Sequence, residues 1–300
     1  MALGQNLVPN PNFEIYDTCP SGISIFGDMQ IEHALGWYAP STGTSDYYNS
    51  CNTTNVNVPN AVFGFQSAKD GNGFLGMMLL LENGELSYFE YVQAKLTKPL
   101  IQGYNYKFSF NVNLANGSDY ALEKIGAWFT NNAVSSTNGQ PLFTTSPQIE
   151  NTLGFISDTV NWTKIEGEFM ANGGEEFITI GYYSDTLNID TLRNSVFADP
   201  TSIFSYYYID RIELKEMESS IIIPNIITPN NDGMNDVFEL NFSTESIVIL
   251  NRWGQTVFIS NNDNSTWNGE FNGKKVPDGT YYYVIKRKGK EYQGFVQVVR

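Results

Sequence analysis

Few residues in this sequence of 300 could carry nucleophilic or acid–base chemistry. His33 is the only histidine, and Cys19 and Cys51 are the only cysteines. A Ser/His/Asp or Cys/His triad would therefore have to recruit that one imidazole. No E-x-D-x-x-E pattern, which would place an acid and a nucleophile on one strand face, occurs among the carboxylates. We therefore expect a non-enzymatic protein.

Aromatic residues suggest a different chemistry, because sugar rings present apolar C–H faces that stack on exposed Trp and Tyr side chains. The segment Gly36–Asn49 holds an aromatic cluster in sequence typical of a loop. Its candidate ligand-binding residues are Trp37, Tyr38, Asp46, Tyr47, Tyr48 and Asn49. Trp128 and Trp162 stand in strand-like contexts and could face either a ligand or the core. A glycan is the candidate ligand, with burial of the rings as the alternative.

Acidic and amide side chains between Thr228 and Glu239 suggest a third chemistry. Five residues match the spacing of a calcium-binding EF-hand loop at positions 3, 5, 6, 9 and 12, namely Asn230, Asp232, Gly233, Asp236 and Glu239. Thr228 stands where the usual first Asp would be, and no flanking helices are expected. An Asx-turn explains the same residues. Both a structural Ca²⁺ site and a plain turn remain open.

Charge divides the chain into two parts. Residues 1–218 hold 9 Lys and Arg against 24 Asp and Glu, whereas residues 219–300 hold 8 of each. An acidic first domain would repel phosphate, so we expect no nucleic-acid partner. The longest apolar run, Met77–Leu81, is far shorter than the roughly 20 residues that span a bilayer. We expect two domains, neither of them membrane-spanning.

Alternating apolar and polar residues predict strands in the first part. Tyr106–Leu114, Phe177–Tyr182 and Tyr207–Leu214 all show this period of two, and clusters of Gly, Asn and Ser separate them. The pattern favours an antiparallel β-sandwich. Tyr120–Ala127 is the segment with the most helical character.

Five motifs follow one another in the last quarter of the chain. They are T-P-N-x-D-G-x-N-D at 228–236, N-R-W-G at 251–254, W-x-G at 267–269, P-x-G-T-Y-Y-Y at 277–283 and G-F-V-Q-V-V-R at 294–300. In this order they closely resemble the type B C-terminal sorting domain of Bacteroidota type IX secretion cargo, also called the gliding-motility-associated C-terminal domain. The resemblance implies a small Ig-like β-sandwich at 219–300, export to the cell surface of a Gram-negative bacterium, and outer-membrane barrel proteins of that system as partners.

The same resemblance makes several residues candidates for the sorting signal. Asn251, Arg252, Trp253 and Gly254 are expected to form a hairpin turn, with Arg252 and Trp253 either packed in the domain or offered to the secretion machinery. Lys288 lies in a basic hairpin tip, and Arg300 ends the last motif. Residues 1–5 lack the charged and apolar parts of a signal peptide, so we expect a mature chain or one with a replaced start.

The first part resembles a second family. N-P-N-F-E at 10–14, L-x-x-P-L-x-x-G-x-x-Y at 96–106 and Y-x-I-D-x-I-x-L at 207–214 are similar to jelly-roll carbohydrate-binding modules. The resemblance implies that the first and last strands of residues 1–218 pair. It also implies a Ca²⁺ ion held by Glu14 and Asp210, although Arg211 stands where a second acid is common.

Export also bears on the two cysteines. In an exported protein a disulfide between Cys19 and Cys51 is expected, the alternative being two unpaired thiols. The sequence thus predicts an all-β chain, with a jelly roll at 1–218 and a sorting domain at 219–300. We expect an exported cell-surface protein whose first domain is glycan-binding or adhesin-like. The alternative is a protein-interaction part of a surface complex, and a glycoside hydrolase or lyase is a third, less favoured interpretation.

Overall fold

The computed structural model describes residues 5–83, 86–142, 147–183, 189–194, 202–217, 222–240, 242, 244–261, 266–287 and 289–300. The chain divides into two compact units, Met1–Glu218 and Ser219–Arg300. Strands account for nearly all regular structure in these ranges, together with one 3₁₀ turn at Gln30–His33. No described segment is a helix with the length and hydropathy that a bilayer crossing needs.

The strands of the first unit form two main sheets. They are β1 (Trp37–Tyr38), β2 (Asp46–Asn49), β3 (Asn60–Ala61), β4 (Gly64–Phe65), β5 (Gly73–Asn83), β6 (Leu86–Tyr88), β7 (Val92–Lys95), β8 (Asn105–Leu114), β9 (Tyr120–Leu122), β10 (Ile125–Thr130), β11 (Ile149–Glu150), β12 (Thr163–Met170), β13 (Phe177–Tyr182), β14 (Thr191–Arg193) and β15 (Ser202–Glu216). One sheet has the order β1-β7-β13-β10-β11. The other has the order β12-β8-β15-β5-β2, with β6 added beside β5. Two small ladders, β3–β4 and β9–β14, lie outside these sheets.

Successive long strands alternate between the two sheets, which is the jelly-roll arrangement. Strands β7, β10 and β13 belong to the first sheet, whereas β8, β12 and β15 belong to the second. Every second side chain points inward, so Phe108 and Phe110 of β8 share one buried core with Ile178 and Ile180 of β13. The predicted all-β jelly roll is confirmed.

The opening segment lies beside the last strand of this unit. The backbone N–H of Leu7 donates to the carbonyl of Leu214 (2.9 Å), and that of Ile212 donates to the carbonyl of Pro11 (2.9 Å). The Asn6 side chain adds a bond at each end, since Nδ2 donates to Ile212 O and Oδ1 accepts from Leu214 N. The pairing of the first and last segments is therefore confirmed.

One local prediction is wrong. Tyr120–Ala127 is not helical, because its residues belong to β9 and the start of β10. In β10 the side chains of Ile125, Ala127 and Phe129 all enter the core, and this spacing of two requires a strand. The segment is too short for its pattern of apolar residues to distinguish a strand from a helix.

The second unit is built on one five-stranded sheet. Its strands are β16 (Ile226–Ile227), β17 (Ser246–Leu250), β18 (Thr256–Ser260), β19 (Glu270–Phe271), β20 (Lys274–Lys275), β21 (Gly279–Arg287) and β22 (Lys290–Val298). The sheet order is β16-β22-β21-β17-β18, and β19 pairs with β20 as a separate hairpin. On the inner face Ile249, Tyr283 and Val296 pack with Phe238 and Trp267 of the connecting segments. The predicted all-β class is confirmed for this unit as well.

Cys19 and Cys51 form the predicted disulfide. It joins the segment before the 3₁₀ turn to the residues that follow β2, across a sequence separation of 32. Closing a loop of this length in the unfolded chain lowers its entropy, which stabilises the folded state.

Replacing both Cys19 and Cys51 with serine should lower the free energy of unfolding by about 3–4 kcal/mol on the chain-entropy account of loop closure. Urea denaturation of the oxidised wild type and the double variant measures this difference. Wild type treated with reductant is the control and should unfold at the same urea concentration as the variant. An unchanged midpoint would show that the bridge contributes nothing to stability.

Candidate functional site

The structure buries five of the six predicted ligand-binding residues, so for these the expectation of an exposed aromatic loop is wrong. Asp46, Tyr47, Tyr48 and Asn49 form β2 and are at most 4% exposed, and Trp37 is 2% exposed. The physical reason is that both faces of β2 are covered. Tyr47 enters the main core, whereas Tyr48 packs in a second apolar cluster on the other side of the sheet.

Polar groups of these residues form hydrogen bonds within the fold, and most of them reach the opening segment. Tyr47 donates its hydroxyl to the carbonyl of Phe13 (2.7 Å) and accepts a bond from Asn49 Nδ2 (2.8 Å). The indole N–H of Trp37 donates to the carbonyl of Pro9 (3.2 Å). Because these bonds fasten the opening segment to β1 and β2, Trp37, Tyr47 and Asn49 have a structural role.

Asp46 is the centre of a buried polar cluster. Its Oδ2 accepts from the Tyr206 hydroxyl (2.5 Å) and its Oδ1 from the backbone N–H of Ser24 (2.6 Å). The hydroxyls of Tyr206 and Tyr48 lie 3.1 Å apart. Burial, and then the nearby charge of Glu90, raise the pKa of Asp46 from 3.8 to about 7.

Glu90 is likewise enclosed and fully engaged. It is 3% exposed, and it accepts from the backbone N–H groups of Thr44 (2.8 Å) and Met78 (2.7 Å). Burial raises its pKa as well. Neither Glu90 nor Asp46 can reach an external substrate, so this pair of acids belongs to the interior.

The two acids predicted to hold calcium in the first unit anchor one loop. Glu14 Oε1 accepts from the backbone N–H groups of Asn72 (2.6 Å) and Gly73 (2.9 Å). Asp210 Oδ2 accepts from those of Lys69 (2.6 Å) and Asp70 (3.0 Å). Burial raises the pKa of Asp210 to about 7.

Backbone amides thus occupy carboxylate oxygens that a cation would need at this place. Across the described ranges, no three His, Cys, Asp or Glu side chains come together as a metal-binding group. The arrangement of Glu14 and Asp210 suits loop anchoring better than calcium binding. Calcium at these two residues stays a prediction.

The loop after Thr228 has the geometry of linked Asx-turns. Asp236 Oδ1 accepts from the backbone N–H groups of Asn230 (2.9 Å) and Asn231 (2.6 Å), and its Oδ2 accepts from Gly233 (2.8 Å). These bonds hold the pKa of Asp236 below its usual range. Asp232 Oδ1 caps the N–H of Met234 (2.8 Å). The turn therefore describes this loop as it stands, and calcium at Asn230, Asp232, Asp236 and Glu239 stays a prediction.

Tyr38 is the predicted ligand residue that stays partly exposed, and it begins a row across the outer face of the five-stranded sheet. Opposite Tyr38 lies Gln93, opposite Gln93 lies Thr179, and opposite Thr179 lies Trp128. Trp128 is partly exposed too. Sequence reasoning missed Gln93 and Thr179, because a row across strands depends on register, which no single segment shows.

Between its two rings the row is polar and buried. The Gln93 amide donates to Val134 O (2.8 Å) and accepts from Val134 N (2.9 Å), so a loop crosses the row at this point. Thr179 Oγ1 is buried without a hydrogen-bond partner in the described part of the chain. Burial also raises the pKa of the Tyr38 hydroxyl. Trp128 also packs in part against the main core, and its ring meets that of Tyr183 edge-on at 6.5 Å. The row therefore presents two partly exposed rings, the kind of group on which sugar rings stack.

Trp162, the other tryptophan considered for a ligand face, is part of the packing. Its indole N–H donates to the carbonyl of Ser67 (3.0 Å), and its ring meets that of Phe74 edge-on at 5.9 Å. It therefore supports the second apolar cluster.

In the C-terminal unit the N-R-W-G motif forms the predicted hairpin turn between β17 and β18. Asn251 Oδ1 accepts from the backbone N–H groups of Trp253 and Gln255, both at 3.0 Å, and Gly254 has the positive φ (+78°) that this turn requires. Trp253 is 76% exposed, and the guanidinium carbon of Arg252 lies 4.6 Å from its ring centroid. Arg252 and Trp253 are therefore presented outward.

A cleft of about 470 Å³ lies between this turn and residues 277–282. A neighbouring cleft of about 530 Å³ shares Asn251, Pro277 and Tyr281 with it. Arg300 braces the walls, because its side chain pairs with Asp278 (3.0 Å) and donates to the carbonyls of Val276 (2.7 Å) and Gly269 (3.0 Å). Arg300 thus has a structural role, and Lys288 lies outside the described residues.

Comparison with known proteins identifies the second unit. Residues 221–298 match the family described as "CHU_C Type IX secretion signal domain", so the chain carries a signal for type IX export to the cell surface or extracellular space. A search of curated proteins returned no match.

Solved structures similar to this chain include carbohydrate-binding and adhesin domains. The CBM22-1 xylan-binding domain of Paenibacillus barcinonensis Xyn10C is 16% identical (73% of this chain, 99% of that one, TM-score 0.39). The K1 cleaved adhesin domain of Porphyromonas gingivalis Lys-gingipain is 15% identical (72% and 100%, TM-score 0.36). TmCBM61, solved with β-1,4-galactotriose, is 12% identical (71% and 99%, TM-score 0.30). With TM-scores below 0.5, the ligand has to be argued from this chain's own residues.

The raised pKa of Asp46 predicts how stability depends on pH. Between about pH 4 and 7 the folded state keeps a proton that the unfolded state releases, so the free energy of unfolding should fall as pH rises through this window. For a carboxyl with this pKa the full effect is on the order of 4 kcal/mol. Asp46→Asn stays uncharged and should show a smaller fall, measured by urea denaturation at pH 5 and pH 8.

Glu166→Gln is the matched control, because Glu166 lies at the surface in ion pairs with Lys164 and Lys107. This variant should keep the wild-type fall in stability from pH 5 to pH 8. An equal fall in Asp46→Asn would contradict the role given to Asp46.

Proposed function

We propose that this chain is a non-enzymatic protein of the cell surface, exported through its C-terminal unit, and that its N-terminal jelly roll binds a glycan. Export rests on the match of residues 221–298 to a type IX secretion signal domain. The outer-membrane barrel proteins of that system are the proposed partners during export. The role in gliding motility that the motif resemblance implies belongs to the same proposal.

The row from Tyr38 to Trp128 supports glycan binding. Adjacent strands lie about 4.8 Å apart, so two rings separated by three strand spacings stand about 14 Å apart. Because the loop at Val134 covers the middle of the row, each ring is proposed to stack one sugar ring on its own side of that loop.

The surroundings of three buried acids and of the histidine favour a non-enzymatic role. His33 is paired through Nδ1 with Asp17 Oδ1 at 2.8 Å, and both residues lie at the surface. The buried acids Asp46, Glu90 and Asp210 are enclosed by protein donors, so they present no oxygen to a substrate. General acid–base chemistry requires a carboxyl within hydrogen-bond reach of the substrate.

A second candidate is a protein partner in place of the glycan. One turn favours it, because Ile25 and Asp28 close a tight reversal that projects Phe26, which is 82% exposed. Ile25 itself is 57% exposed. Exposed apolar side chains of this kind are common at protein interfaces.

Removal of residues 219–300 should abolish export, because the type IX signal lies in this segment. The chain, preceded by a signal peptide of the host, is expressed in a bacterium with a type IX system. Its amount at the cell surface and in the medium is compared with that in the periplasm. Normal export of the shortened chain would overturn the proposed function of the C-terminal unit.

A glycan array tests the first unit. Tyr38→Ala and Trp128→Ala should each lower binding of the full chain about tenfold, which corresponds to the loss of one stacked ring. Phe26→Ala is the matched control and should bind as wild type, and circular dichroism shows whether each variant is folded. If no glycan on the array binds the wild type, the protein-partner candidate replaces the glycan.

A further inference from the structure

The two clefts of the C-terminal unit are lined by more cationic than anionic side chains, although Glu270 stands opposite Lys275 in the β19–β20 hairpin. Arg252 lines the first cleft, and Lys274 and Lys275 line the second. Asp278 is the one acid among the lining residues, and it is already paired with Arg300. Within the described ranges no carboxylate lies at ion-pair distance from Arg252, Lys274 or Lys275. An acidic partner would therefore be complementary to this surface.

An apolar platform lies next to this charge. Trp253 is 76% exposed with the Arg252 guanidinium over its ring, and Tyr282, 49% exposed, lines the same cleft. Trp, Tyr and Arg are the residue types that contribute most of the binding energy at protein interfaces. All three types line this cleft. The surface thus offers a charged contact and an apolar contact side by side.

The walls of the clefts are held in place before any partner arrives. The Asn251 side chain caps the turn that carries Arg252 and Trp253. Arg300 ties the opposite wall together through Val276 and Asp278. A surface that is already ordered loses little conformational entropy on binding, which favours a specific partner.

We propose that these clefts dock an acidic segment of a protein of the type IX secretion machinery. A carboxylate of that segment pairs with Arg252, an apolar side chain next to it packs on Trp253, and a second acid meets Lys274 and Lys275. The inference rests on the proposed function of the C-terminal unit. A machinery protein is the occupant because both clefts lie inside residues 221–298, the segment that matches the secretion signal domain. Because the cleft lining is positively charged, the part of the machinery protein that binds there is expected to be acidic.

The test reverses charge inside and outside the clefts in the full chain, expressed behind the same host signal peptide. Arg252→Glu and Lys274→Glu should each lower the exported fraction about tenfold, the effect of losing one favourable charge contact. Lys286→Glu makes the same change at an exposed position of β21 outside the cleft linings and should be exported as wild type. Immunoblots of medium, intact cells and periplasm measure the exported fraction, and thermal unfolding of purified chains shows that each variant folds.

Trp253→Ser tests the apolar contact without changing charge. Because the ring is mostly exposed, this variant should fold normally and still show reduced export. If the three cleft variants are exported like wild type while the chain lacking 219–300 stays in the periplasm, the docking inference is overturned and the proposed function stands. Export of that shortened chain would overturn both.

The other source of negative charge is a membrane. Purified wild type is mixed with phosphatidylcholine vesicles that contain phosphatidylglycerol and then sedimented. Under the proposal the cleft variants and wild type sediment equally. Loss of vesicle binding in Arg252→Glu and Lys274→Glu, together with unchanged export, would replace the protein partner with an anionic lipid surface.

Discussion

The first unit is built around its last strand, β15, which pairs with three other segments of the chain. Along one edge it pairs with β8, whereas its other edge pairs first with β5 and then with the opening segment of the chain. A bulge between Asp210 and Glu213 separates these two partners, and Arg211 takes a positive φ of +50° there. Because of the bulge, Ile209 and Ile212 both enter the core although they are three residues apart.

The same bulge explains why a carboxylate can be buried at this place. Asp210 is turned toward the loop that precedes β5, where backbone N–H groups surround it, while Glu14 binds the end of that loop. An ionised carboxyl away from water is unfavourable unless donors compensate it, and here main-chain donors supply part of that compensation. The opening segment, the last strand and the loop are therefore joined through two acids. This is the contact that the family resemblance assigns to calcium.

The predicted aromatic residues of β2 and of the N-R-W-G turn have opposite surroundings. In the first unit, Tyr48, Tyr206 and Tyr208 form a second apolar cluster beside the sandwich core, so even an edge strand such as β2 is covered on both faces. In the second unit, a short turn presents Trp253 to solvent next to an arginine. The difference follows from what lies over each segment, since additional loops cover the sheet of the first unit.

Much of this protein was determined by local sequence. Period-two segments such as Tyr106–Leu114 predict strands, because alternation follows from the geometry of one strand alone. The N-R-W-G turn is equally local, since Asn251 and Gly254 supply its bonds and its positive φ within five residues. The motif order likewise pointed to the secretion signal domain at 221–298. Tertiary structure decided which aromatic rings face water. Tyr47 and Tyr38 look alike in sequence. Tyr47 is nevertheless buried, with its hydroxyl bonded to the carbonyl of Phe13, whereas Tyr38 begins a partly exposed row. The difference arises because burial depends on distant segments of the chain that cover each strand.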